Sequence, residues 1–166
     1  MLRRVFALSL GGNKGNVHGA FQRALYTLAS HNFVSGIKFS SVYKTEPWGD
    51  VTGGDFLNAA VVGFWQGSDL GLLELCQSCE SYFGVPVRKQ NGARFLDIDI
   101  LFIEDGLSSE ELILPHPRMH LRQFVLLPLS EIWTRNVIGL GKTPFQLLEL
   151  VQDKSSIIFE GILSLS

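Results

Sequence analysis

Cysteine and long apolar runs are both scarce in this sequence. It has 2 cysteines among 166 residues, too few for the disulfide framework of a small secreted domain. No stretch reaches about 18 apolar residues, the length that a membrane-spanning helix needs. The apolar run after Arg3 and Arg4 is shorter still and leads to no convincing cleavage site, so we expect a first strand there and not a signal peptide. These absences favour a cytoplasmic protein with no membrane partner.

Charge is scarce as well. Charged residues make up 18% of the chain, and the formal net charge is −2. A chain without a basic excess lacks the electrostatic footprint of a nucleic-acid-binding protein. The hydrophobic fraction of 46% is typical of a globular protein and excludes a disordered one. Because one domain takes roughly 100–200 residues, we predict a single domain over residues 1–166.

The two cysteines, Cys76 and Cys79, form a lone CxxC motif. A structural zinc site needs four ligands, and the sequence offers no second pair. The motif also falls within a run of apolar residues at helical spacing. We therefore expect both thiols to pack in the core, with a redox role as the weaker alternative.

Hydrophobic periodicity predicts alternating strands and helices. Strands are expected over residues 5–10, 37–44, 56–65 and 95–102, and helices over residues 16–30 and 68–83, the second of them capped by Ser68. This order is typical of the α+β ferredoxin-like (split βαβ) fold, an antiparallel sheet with helices packed on one face. A C-terminal helical extension follows, and its last helix begins at Thr143 with Pro144 in first position.

The segment GARFLDIDILF places two carboxylates in an apolar strand. Asp97 and Asp99 point to one face because strand side chains alternate. Two carboxylates this close repel each other, and a hard cation such as Mg²⁺ relieves the repulsion while taking phosphate oxygens as further ligands. The alternative is a solvated face on which each Asp pairs with an Arg such as Arg94. The opposite face is predicted to be core: Leu96, Ile98, Ile100 and Phe102.

Basic residues flank this strand. Arg94 precedes it, and Arg88 lies in the loop before it; an Arg side chain beside acidic metal ligands suits a polyphosphate. The segment LPHPRMHLRQF adds His116, held between two prolines, and Arg122. Each of these could equally be a solvated or structural residue. The residues alone thus predict a magnesium–polyphosphate site and leave the second substrate open.

Five blocks of the sequence occur in the order found in a known family: SLGGNKGN, SSVYKTEPWG, DFLNAAV, GARFLDIDILF and LPHPRMHLRQFVLLPL. Across residues 8–132 the chain resembles the 6-hydroxymethyl-7,8-dihydropterin pyrophosphokinases of folate biosynthesis. The resemblance implies transfer of the β,γ-diphosphate of ATP to the pterin hydroxymethyl group, with release of AMP. It also implies ATP as co-substrate and two Mg²⁺ ions. We expect a monomer, although the sequence does not determine the oligomeric state.

The resemblance assigns roles to individual residues. It implies that Asp97 and Asp99 hold the metal ions and that Arg94 and Arg88 complete the catalytic set. The pterin would be bound by Thr45, Trp48, Phe56, Asn58 and Phe124. ATP would be bound by Gln77, Glu80, Arg94, Ile100, Ile113, His116 and Arg122.

The chain departs from the family pattern mainly in the loop GVPVRKQNG. This loop is short and has Asn91 where the family has Trp, which weakens the match of Arg88 and predicts looser closure over the substrates. Lys44 also replaces an Arg. Both metal ligands are kept, so we expect an active enzyme.

Two other functions stay open on the sequence. Another metal-dependent nucleotide enzyme, such as a nucleotidyltransferase, would use the same aspartates, but it would release pyrophosphate instead of AMP. A nucleotide-binding module without catalysis is the second alternative, because a fold does not determine a function.

Overall fold

The computed structural model describes residues 1–46, 54–84 and 93–165. In these ranges the strands are β1 (Arg4–Gly12), β2 (Val34–Phe39), β3 (Val42–Thr45), β4 (Phe56–Trp65), β5 (Asp97–Ile103) and β6 (Ile157–Gly161). The helices are α1 (Val17–Ala29), α2 (Asp69–Ser81), α3 (Gln123–Ile132) and α4 (Pro144–Leu150), and a short 3-10 turn spans Met119–Leu121. None of these helices is long and apolar enough to cross a bilayer.

The strands form one antiparallel sheet in the order β5-β1-β4-β3-β6, with β2 also paired to β4. The order of the first five strands confirms the predicted ferredoxin-like arrangement. The sixth strand lies in the extension, which was expected to be helical. β6 was missed because its side chains are mostly exposed and it therefore lacks a buried, alternating apolar face.

The prediction of one strand over residues 37–44 was wrong. β2 and β3 pair with successive halves of β4 and are separated at Ser40 and Ser41. The buried Ser40 hydroxyl accepts the backbone N–H of Ala60 at 2.8 Å, and the Ser40 N–H donates to the Ala60 carbonyl at 2.9 Å. The Ser40 hydroxyl thus accepts a hydrogen bond that a backbone carbonyl would accept in a regular sheet, and the predicted strand is interrupted at this residue.

The helices cover both faces of the sheet, so the expectation of helices on one face was also wrong. α1 and α2 pack on the face that carries Phe6, Leu8 and Leu10 of β1. α3 and α4 pack on the opposite face, against Val5 and Ala7. β1 is buried along nearly its whole length, which is the pattern of a strand covered on two sides. The CxxC thiols are free and lie on the buried face of α2.

Polar side chains at the first turns explain where three helices begin. Asn16 accepts the N–H of Gly19 before α1, and Ser68 accepts the N–H of Gly71 before α2. Thr143 and Gln146 form a reciprocal capping box at α4, with Pro144 in first position. Each cap satisfies a backbone donor that the helix itself leaves unpaired. The predicted helix starts at residues 16, 68 and 143 are confirmed to within one residue.

A β-bulge changes the alternation within β5. Ile100 pairs with Leu8 and Phe102 pairs with Ala7, so Leu101 is an extra residue. Ile98 and Ile100 face α1 and α2 as predicted. Phe102 instead lies on the other face, where its ring is 5.1 Å from that of Trp133. Its assignment to the same face as Ile98 was wrong because strict alternation does not continue through a bulge.

Candidate active site

A cavity of about 850 Å³ opens over one end of β1, β4 and β5. This volume is within the range of small-molecule binding sites, about 300–1,000 Å³. Its walls come from the sheet, from the segment before α3 and from the segment between α4 and β6. The lining residues are Ser9, Gly11, Thr45, Glu46, Phe56, Asn58, Arg94, Asp97, Asp99, His116, Pro117, Arg118, Leu121, Arg122, Gln123, Phe124, Asp153 and Ser155.

The central strand β1 provides the floor of the cavity with small residues. Ser9 pairs with Asp99, and Gly11 lies between Asp97 on one neighbouring strand and Asn58 on the other. A Cβ atom on Gly11 would lie 3.7 Å from Asn58 Oδ1. Because these two floor residues are small, the carboxylates of β5 and the amide of β4 face one shared space.

Asp97 and Asp99 lie in the cavity on one face of β5, as the alternation predicted. Asp97 Oδ2 is 2.9 Å from Arg94 Nη1. Asp99 Oδ2 is 3.9 Å from His116 Nε2 and 4.0 Å from Arg122 Nη1. Burial raises the pKa of Asp97, although the Arg94 guanidinium opposes this shift. Each carboxylate therefore has a basic neighbour, and the basic groups surround the carboxylate pair.

Arg94 is positioned by the turn that follows β1. The buried Asn13 accepts the Arg94 N–H through Oδ1 at 2.7 Å. The backbone N–H groups of Asn13 and Lys14 both donate to the Arg94 carbonyl, at 2.9 and 3.0 Å. Sequence analysis assigned no role to Asn13 of the block SLGGNKGN. Asn13 fixes the backbone of Arg94, the Arg that precedes β5 and its two carboxylates.

His116 presents its Nε2 atom to the carboxylates. Its Nδ1 accepts the N–H of Arg118 at 3.2 Å, and its own backbone N–H donates to the Leu101 carbonyl at 2.8 Å. With Nδ1 used as an acceptor, the proton of the neutral ring is on Nε2. Burial lowers the pKa of His116, as do Arg122 and Arg118, whereas Asp99 raises it. In its neutral form the ring therefore carries its proton on Nε2, the atom that lies 3.9 Å from Asp99 Oδ2.

The donor set fits Mg²⁺ better than a transition metal. Within residues 1–46, 54–84 and 93–165, no group of three or more His, Cys, Asp or Glu side chains is arranged to hold a metal ion. Asp97 and Asp99 offer carboxylate oxygens alone. Mg²⁺ is commonly held by one or two carboxylates together with substrate phosphates and water, and the neighbouring Arg94 and Arg122 suit those phosphates.

The other end of the cavity is aromatic and amide-lined. Phe56 and Phe124 both line it. Asn58 is only 3% exposed, and its Nδ2 donates to Thr45 Oγ1 at 3.2 Å. Arg122 lies 5.6 Å from the Phe124 ring centroid and so connects this end with the carboxylates. Two phenyl rings and a buried amide are suited to a flat heterocycle with polar edges.

Four residues predicted for the ATP site do not line this cavity. Gln77 and Glu80 lie on α2, Ile100 is buried against α1 and α2, and Ile113 is exposed. Glu80 accepts the backbone N–H of Ile98 at 2.7 Å. Burial raises its pKa to about 7. Their ATP contacts stay predictions, and Trp48 and Arg88 lie outside the described residues.

Comparison with known proteins identifies the family. The model of the 7,8-dihydro-6-hydroxymethylpterin-pyrophosphokinase (HPPK) family matches residues 7–134. The chain belongs to this family. A Methylorubrum extorquens protein named 2-amino-4-hydroxy-6-hydroxymethyldihydropteridine pyrophosphokinase is 40% identical over 137 residues, which cover 82% of this chain and 86% of that protein. The protein of the same name from Bacillus subtilis is 38% identical over 132 residues and covers 79% of each chain.

A solved structure supports the fold of this HPPK family member. It is described as HPPK-DHPS in complex with substrates and superposes with a TM-score of 0.69 at 13% identity. The match covers 90% of this chain and 43% of that chain. At this identity the likeness establishes the fold alone.

Sequence reasoning missed several lining residues of this HPPK family member. Ser9 and Gly11 could have been found, because they alternate along β1 toward the face that carries the carboxylates. Asp153 and Ser155 lie beyond the residues that the family model matches. No local pattern indicated that this segment returns to the cavity.

Proposed function

We propose that the protein transfers diphosphate from ATP to the hydroxymethyl group of 6-hydroxymethyl-7,8-dihydropterin, a step of folate biosynthesis that yields AMP. One observation carries the proposal: one cavity contains both a pair of carboxylates with basic neighbours and an end lined by two aromatic rings and a buried amide. A nucleotidyltransferase would need the carboxylates and their basic neighbours but not the aromatic and amide-lined end. Membership of the HPPK family supports the same reaction. We further propose that residues 1–166 form a single domain that acts as a monomer in the cytoplasm.

The reacting groups are assigned from the two ends of the cavity. Phe56 and Phe124 stack on the pterin ring, and Asn58 binds its polar edge. Arg94, Arg122 and the His116 Nε2–H bind phosphate oxygens of ATP. The pterin hydroxyl oxygen attacks the β-phosphorus, the bond to the α,β-bridging oxygen breaks, and AMP leaves with that oxygen.

Asp97 and Asp99 would hold two Mg²⁺ ions against the triphosphate. When bound, the ions supply neutralisation of the charge that develops on the transferred group. The side chains around the carboxylates contribute positioning, since Arg94 is itself fixed by Asn13. The hydroxyl proton passes to solvent, and no side chain is assigned as general base.

The test measures pterin-dependent AMP. Purified protein is incubated with ATP, Mg²⁺ and 6-hydroxymethyl-7,8-dihydropterin, and the nucleotides are separated. We expect AMP from the wild type, and we expect Asp99→Asn to lower the rate at least about 100-fold, since it removes a charged group that acts in the transition state. Asp105→Asn is the matched control, because Asp105 lies in the turn directly after β5 and outside the cavity.

The outcomes separate the alternatives. Release of pyrophosphate without AMP would indicate a nucleotidyltransferase. ATP binding without turnover, unaffected by Asp99→Asn, would indicate a binding module. Circular dichroism of Asp99→Asn must match the wild type, since the removal of one carboxylate from a repelling pair is not expected to unfold the sheet.

A further inference from the structure

We propose that residues 153–157, which run from the connection after α4 to the first residue of β6, are part of the pterin end of the active site and position both of its walls. The inference rests on the proposed function and extends it to a segment that no sequence motif indicated. Asp153 and Ser155 both line the cavity, although more than half of the chain separates them from β1, the strand that provides its floor.

The segment holds the start of α3, where Phe124 lies. The half-buried Gln123 is the first residue of α3, and its Nε2 donates to the Ser155 carbonyl at 2.7 Å. The Arg122 side chain makes no capping hydrogen bond at this helix start. The contact with Ser155 is therefore a side-chain restraint on the first turn of α3, one residue before Phe124.

The same segment holds the opposite wall through the sheet. Ile157, the first residue of β6, pairs with Thr45, the last residue of β3. Thr45 is 8% exposed, and its hydroxyl accepts the amide of Asn58 at 3.2 Å. Residues 153–157 thus contact Thr45, the partner of Asn58, on one side and Gln123, which precedes Phe124, on the other. Only Ser156 separates Ser155 from the first residue of β6.

Asp153 gives this short segment its shape. Its Oδ1 accepts the N–H of Ser155 at 2.9 Å, which makes an Asx turn. The turn orients the Ser155 carbonyl toward Gln123. Asp153 is accordingly a positioning residue: an Asn at this position keeps the acceptor oxygen, whereas an Ala removes it.

The experiment compares kinetic constants for the two substrates. Gln123→Ala and Asp153→Ala are each expected to raise the KM for the pterin about fivefold, the factor that one lost hydrogen bond of about 1 kcal/mol gives. The KM for ATP should stay within about twofold, because the hydrogen bonds of both side chains are to Ser155 and not to the carboxylates or the phosphate-binding Arg side chains. Asp153→Asn should restore the wild-type KM for the pterin.

Gln22→Ala provides the matched control. The side chain of Gln22, on α1, also holds a residue near the C-terminus, since it hydrogen-bonds the backbone of Ser164. Gln22 does not line the cavity. A change of the same size in Gln22→Ala would mean that a general loosening of the C-terminus is responsible, and the inference would fail. An unchanged pterin KM in folded Gln123→Ala would also overturn it.

Calorimetric binding of the pterin, with Mg²⁺ and a non-hydrolysable ATP analogue present, separates this inference from the proposed function. If the wild type binds the pterin but forms no AMP, the proposed reaction fails, while the binding constants of Gln123→Ala and Asp153→Ala still test the segment. If the wild type does not bind the pterin, both proposals fail. Should Gln123→Ala not fold, Gln123→Glu replaces it, because an acidic residue is favoured at a helix N-terminus but cannot donate to the Ser155 carbonyl.

Discussion

Glu80 gives the fold a pH-dependent stability that can be measured without substrates. Its half-buried carboxyl accepts the Ile98 N–H at 2.7 Å, and burial raises its pKa from 4.5 to about 7, with smaller contributions from Asp97 and Asp99. The folded protein therefore retains this proton at pH values where the unfolded chain has lost it. Stability falls as the pH rises from about 4.5 to about 7, because the unfolded state then binds fewer protons.

Replacement of Glu80 by Gln should remove this fall in stability with rising pH. The Gln amide oxygen still accepts the Ile98 N–H and carries no charge. A shift from 4.5 to about 7, at about 1.4 kcal/mol per pKa unit, corresponds to roughly 3 kcal/mol. Because water screens a half-buried carboxylate, we expect Glu80→Gln to stabilise the protein by about 1–2 kcal/mol at pH 8. Near pH 4.5 the difference should disappear.

Urea unfolding at pH 4.5 and pH 8, with EDTA present, measures the effect. The matched control is Glu74→Gln, an exposed carboxylate on the same helix, which should change the free energy of unfolding by less than about 0.5 kcal/mol at either pH. An equal gain for Glu80→Gln at both pH values would show that titration of this carboxyl is not the cause. A loss of stability at pH 8 would refute the reasoning altogether.

Two further substitutions test the aromatic end and the turn after β1. Phe124→Ala should weaken pterin binding about tenfold, through loss of stacking and apolar contact, while Phe145→Ala on the exposed face of α4 should leave calorimetric binding unchanged. Gly12→Ala should lower the free energy of unfolding by about 1–3 kcal/mol, because its Cβ would lie 2.7 Å from the Phe95 carbonyl oxygen. Gly11→Ala, with its nearest contact at 3.7 Å, should cost less in the same urea titration; equal losses would contradict the steric explanation.

The sequence was most informative where local chemistry determines structure. Helix starts at Asn16, Ser68 and Thr143 depend on side chains a few residues from their partners, and they could be read directly. The carboxylates Asp97 and Asp99 were also placed correctly, because alternation holds over three residues of a regular strand.

The features that were missed depend on contacts between distant residues. The break at Ser40 requires Ala60 as a partner, and the bulge at Leu101 is visible only against β1. The family resemblance supplied the identity of the second substrate, which spacing alone left open. It did not supply Asp153 or Ser155, since their role depends on where the chain returns after α4.

The bulge also decides where β5 can change length. Ile98 and Ile100 point to the core under α1 and α2, whereas Asp97 and Asp99 point to the cavity. The loss of one residue among residues 97–100 would reverse this alternation on one side of the deletion, so that an isoleucine would face the cavity and a carboxylate would face the core. Loss of Leu101 would not, because Ile100 and Phe102 already pair with adjacent residues of β1. Such a deletion would leave a void in the core under α3 but keep both carboxylates directed at the substrates. At Leu101, therefore, a deletion changes core packing and not the chemistry of the cavity.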